Sequence, residues 1–178
     1  MKKKVFWLAQ IGVIVLAVSI GAMAQTPTSV NLSGVINDYT PANVAGPWEV
    51  RGTWSLSVKG TGTASFSAAL TMERSDQGVL LSGGGDLNNP AARNAHTHHL
   101  TLVNGTVTPI AGGFRVTGPA TITGNGKFPP PFGTSSTLQI DVVGGNSVAF
   151  SNIKITFGGD AANHFGSQPV NGVVQLVK

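Results

Sequence analysis

The sequence predicts an all-β fold, an antiparallel β-barrel or β-sandwich of about nine short strands, preceded by a cleavable signal peptide. Three observations predict it. Apolar and polar residues alternate along most of the chain beyond residue 28, glycine-rich turns separate the alternating runs, and no long run has helical spacing after residue 25.

The chain opens with Lys2, Lys3 and Lys4, continues through the apolar run 5–20, and reaches the small-x-small site Ala22-Met23-Ala24. A basic start, an apolar stretch and such a site are the three parts of a secretory signal peptide. Cleavage is expected after Ala24, so 1–24 is the leader and 25–178 a single antiparallel β domain. No cysteine follows the apolar run to carry a lipid anchor, and no second long apolar run occurs. The expectation is a secreted or periplasmic protein with no membrane contact after cleavage.

The first strong strand covers residues 50–59, with Val50, Trp54, Leu56 and Val58 on one face and Arg51, Thr53, Ser55, Ser57 and Lys59 on the other. A period of two marks a half-buried strand. The next run sets Ala64, Phe66, Ala68, Leu70 and Met72 against Ser65, Ser67, Thr71 and Glu73, and the Gly60-Thr61-Gly62 link predicts a hairpin between them. Phe114, Val116, Ala120 and Ile122 form a third alternating face, and Leu138, Ile140 and Val142 a fourth. The apolar phase then slips between Phe150 and Ile153, which predicts a bulge near Ser151-Asn152. Weaker strands are expected at 29–36, 78–83, 99–110 and the C-terminal stretch 170–178. The one helical candidate is a turn or two at 88–95, where Asn89 could cap and Pro90 suits the first helical position.

A barrel is slightly preferred, because it leaves no exposed strand edges in a chain with few charged residues. Gly52-x-Trp54 resembles the Gly-x-Trp opening of lipocalin-type barrels over five residues. The Thr-Asp-x-Arg feature that accompanies it in that family is absent, and no membership is assigned.

The formal charge of +4 belongs largely to the leader: without Lys2, Lys3 and Lys4 the 11 basic residues become 8 against 7 acids, a net charge of +1. The remaining basic residues are scattered singly, whereas a nucleic-acid partner needs a clustered basic face. There is no cysteine, so the fold is held without disulfides. Cysteine nucleophiles are excluded, and no Gly-x-Ser-x-Gly elbow occurs.

Three of the four histidines stand in Arg93-Asn94-Ala95-His96-Thr97-His98-His99-Leu100. If a strand extends back to residue 96, His96 and His98 share one face and His99 takes the other, with the first two about 7 Å apart at Cα by the strand rise. Imidazole nitrogen is a ligand for both zinc and copper. A third ligand is expected from His164, with Asp86 or Asp160 as completers. The binding-module reading instead rests on exposed aromatics, with Trp48 and Tyr39 as candidates, each weighed against a role in core packing. From sequence, the leading expectation is a non-enzymatic binding or structural component for an unknown small molecule, glycan or protein. The alternative is a Zn/Cu-binding protein or metalloenzyme using His96, His98 and His164. The two readings part on one point: the metal reading requires the segment around His164 to fold back against residues 96–100.

Overall fold

The alternating faces close on themselves. In the computed structural model, which describes residues 29–40, 48–74, 95–124, 132, 136–146 and 149–178, eight antiparallel strands form a closed barrel in sequence order. They are β1 (Val30–Tyr39), β2 (Trp48–Lys59), β3 (Thr63–Arg74), β4 (His96–Ile110), β5 (Gly113–Gly124), β6 (Thr137–Asn146), β7 (Ala149–Gly158) and β8 (Val170–Val177). Each pairs with its neighbour, and β8 returns to β1. The count among the described residues is therefore eight, where the sequence predicts about nine. The expected strand at 78–83 and the helical turn at 88–95 lie outside the described residues, as does the leader.

The apolar faces point inward and fill the barrel axis. Leu56, Phe66, Leu102, Phe114, Ile140 and Ile155 are all buried. An eight-stranded barrel is just wide enough for such side chains to fill it. The outer face carries the polar partners: Ser33 pairs with Ser55, Ser55 with Ser67 and Ser67 with Thr101 across four strands. Apart from Ala69, the outward positions of β2 and β3 are hydroxylic or charged, whereas β8 exposes Val173, Leu176 and Val177.

Two irregularities set the phase. On β7, Asn152 pairs with Val143 but Phe150 pairs with Gly144, so Ser151 is the extra residue of a bulge, where the slipped pattern predicts one. On β4, the pairing with β5 shifts between Leu102 and Thr106, and Asn104 takes the left-handed conformation at φ 57°. Buried residues change there from Leu100 and Leu102 to Gly105 and Val107, while Val103 continues the outward set of His99 and Thr101 and is exposed.

The connections divide by length. Short turns join β2 to β3, β4 to β5 and β6 to β7 at one rim. The four longer stretches of sequence between strands, 40–47, 75–95, 125–136 and 159–169, link strand ends that all lie at the other rim, because strands alternate in direction. The long rim carries His96 and His98 at the start of β4 and His164 between β7 and β8.

Candidate metal centre

His96 and His98 enter the site as the period of two requires. They pair with Met72 and Leu70 of β3, so they share the inward face that those residues occupy, and His98 is 3% exposed. His99 lies on the outer face and is exposed. His164 comes from a different part of the chain. After β7 a 3-10 turn (Gly159–Ala161) leads into a single helical turn, α1 (Ala162–Phe165), bracketed by Gly159 at φ 62° and Gly166 at φ 85°. Glycine takes these positive φ values without the steric cost other residues meet, so the segment can reverse over the barrel mouth. Phe165 anchors it: the ring is fully buried and stacks on Phe157 of β7 with centroids 3.8 Å apart and planes at 6°.

The result is convergence. His164 Nε2 lies 3.1 Å from His96 Nε2 and 3.1 Å from His98 Nε2, and one nitrogen from each of the three residues lies within 4.8 Å of the others. A tetrahedral ion with bonds of 2.0–2.1 Å holds its ligand nitrogens about 3.3 Å apart, so two of the three edges are near that spacing, and the third would have to be no longer than 4.8 Å before any ion drew the rings in. The residues brought together are three that could hold a metal ion.

Tautomers sharpen the point. A carbonyl can only accept, so the 3.0 Å contact between His98 Nδ1 and the Thr123 carbonyl puts the hydrogen on Nδ1. In neutral His98 the Nε2 lone pair therefore faces the cluster. His164 Nε2 then has two nitrogen neighbours but at most one hydrogen to share with them. Neutral rings can serve both 3.1 Å contacts only by sharing the one His164 Nε2 hydrogen in a three-centre bond, whereas a cation between the three nitrogens would accept a lone pair from each. Fixing a histidine ring through its second nitrogen is the usual support of a metal-bound imidazole.

The surroundings favour neutral rings. Burial pushes the His98 pKa down to about 3, helped by the nearby His164 and His96 and opposed by the Thr123 carbonyl. Burial, then His96, pushes His164 down to about 4. Neutral imidazole is the ligating form, so at neutral pH a metal has no proton to displace from these two side chains.

An aromatic shell encloses the trio. Trp48 meets His96 edge-on at 4.7 Å and His164 at 5.4 Å. Phe132 lies 5.5 Å from His98 and 5.4 Å from His164, and Phe165 lies 5.0 Å from each of the same two rings. Trp48 is fixed by the rim of β1 and β2: its backbone N–H donates to Thr40 Oγ1 at 3.1 Å, and its carbonyl accepts from the Thr40 N–H at 2.9 Å.

Of the other candidates, Asp160 is exposed on the 3-10 turn and does not join the converging group, and Asp86 lies outside the described residues. Trp48 is 2% exposed and walls the histidines, while Tyr39 is 59% exposed at the end of β1. The preceding Gly46-Pro47 hides Trp48's role, yet the inward phase of Val50, Trp54 and Leu56 carried back one period points Trp48 inward. Phe132 and Phe165 carry no such signal, since each lies outside any alternating run. No family model matches the chain, and neither a curated protein nor a solved structure does.

Proposed function

We propose that this protein is an exported β-barrel that binds one zinc or copper ion through Nε2 of His96, His98 and His164. The observation that carries the reading is the trio of Nε2 atoms, two pairs of them at 3.1 Å, for which the neutral rings supply a single shared hydrogen. Supporting it are the Thr123 carbonyl that holds the His98 tautomer and the aromatic shell around the rings. Both metals accept three imidazoles, and the absence of thiolate from the chain fits Zn(II) or Cu(II) better than Cu(I). This takes the alternative of the two readings drawn from the sequence, the metal-binding one, and no catalytic step is attached to it. The side-chain-filled axis disfavours a small organic molecule carried inside the barrel.

The test is the metal content of tag-free protein, followed by calorimetric titration with zinc and copper. One ion per chain is expected for the wild type and none for His98→Ala or His164→Gln. Two variants in separate segments of the sequence guard against the misfolding of either. No binding by wild type, or binding indifferent to both substitutions, would sink the proposal.

A further inference from the structure

The donor set of three imidazoles is neutral, and among the described residues no carboxylate joins it. Five of the seven acids lie among the described residues, and none belongs to the converging group. Asp38 accepts from the backbone and side chain of Asn171, Glu49 pairs with Arg51, and Asp141 pairs with Arg115. Glu73 lies opposite Glu49 in the β2–β3 ladder, and Asp160 is exposed on its turn. A divalent ion on these histidines would carry both its charges into surroundings made of Trp48, Phe132 and Phe165. Charge buried in apolar surroundings without a counter-charge is strongly disfavoured. Three protein ligands also leave a tetrahedral ion one position short.

Resting on the metal reading above, we propose that the ion held by His96, His98 and His164 takes a small monodentate anion from solution as its fourth ligand. The anion supplies both the missing donor and part of the missing charge. Access comes from the side of His96 and His164, which keep partial exposure while His98 is buried. The aromatic walls limit the guest to a small one: hydroxide, azide, thiocyanate or a simple carboxylate. His98 takes no part in admitting it, because its second nitrogen is already committed to Thr123.

Cobalt(II) in place of the native ion reads the fourth position directly, through its visible d–d absorption. Full-length mature protein loaded with cobalt is expected to show these bands, and His98→Ala and His96→Gln to lack them. Azide should then shift the wild-type bands, saturating at one azide per cobalt and reversing on dialysis. If the bands depend on the histidines but ignore azide, a protein group fills the fourth position and the proposal is overturned. Asp86→Asn or Asp160→Asn would then identify that group by making the bands azide-sensitive. If no histidine-dependent bands form at all, the metal reading itself falls, and this inference falls with it.

Discussion

Acid should weaken the metal-free barrel through His98 in particular. The folded protein holds this imidazole at a pKa of about 3, against 6.5 for the free side chain. A depressed pKa means that the unfolded chain takes up the proton first, so the contribution is complete above about pH 6.5 and is lost as pH falls from there towards 3. Between pH 6.5 and 4.5 the linkage amounts to about 2 kcal/mol for this one group, since each pH unit inside the window is worth about 1.4 kcal/mol. The assay is urea unfolding followed by tryptophan fluorescence, with chelator present, at both pH values for wild type and His98→Leu. Carboxylates titrate in both proteins and cancel in the comparison; because His164 touches His98 at 3.1 Å, the pair is repeated in a His164→Leu background. The wild type should lose about 2 kcal/mol more than the variant, a midpoint difference of about 1 M urea for a chain of this size. Equal losses would refute the account of His98 as a neutral side chain held by burial.

Metal should act in the opposite direction. At a free concentration one hundred times the dissociation constant, binding adds about 2.7 kcal/mol, and differential scanning calorimetry should record a rise of about 5–10 °C that disappears in His98→Ala. Phe165→Ala removes the ring that stacks on Phe157 and walls two histidines; a cost of about 3–5 kcal/mol is expected in denaturant titration, together with weakened metal binding by calorimetry. Gly34→Ala would push a Cβ into the Val173 carbonyl where β1 meets β8, close to the Trp54 ring, and should lower stability by about 1–3 kcal/mol in the same titration without changing metal stoichiometry. Expressed from its own leader, the exported product should begin at Gln25 by N-terminal sequencing; a start at Met1 would contradict cleavage after Ala24.

The barrel was legible because its strands are half-buried and long enough for a period of two to repeat. Leu138, Ile140 and Val142, and after the slip Ile153, Ile155 and Phe157, all point inward. The same periodicity placed His96 and His98 together and His99 opposite. The β4 bulge was not legible, because Val103-Asn104-Gly105 can be read as a continuing strand until the pairing with β5 is known. The third ligand could be nominated only as the remaining histidine. A four-residue helical turn is too short to leave a periodic signal, and what brings it over the mouth is the Phe165–Phe157 stack, a contact between residues that alternation does not relate. The shell of Trp48, Phe132 and Phe165 is a tertiary property for the same reason: its members come from the start of β2, from the stretch between β5 and β6 and from α1.

At the short-turn rim, Asn31 and Lys178 exchange paired backbone hydrogen bonds of 2.8 Å, so the two ends of the described barrel lie side by side. A tight turn joining them would make β8 and β1 one more hairpin like the other three. Chain order would then cease to matter to the barrel, and a circular permutant could open within residues 75–94 at the opposite rim. Such a permutant would begin just ahead of β4 and reach His164 with the same residues in between, and the histidine trio would be complete once β1 to β3 had closed the ring. The site belongs to the closed ring of strands, and where the chain starts around that ring is a separate choice.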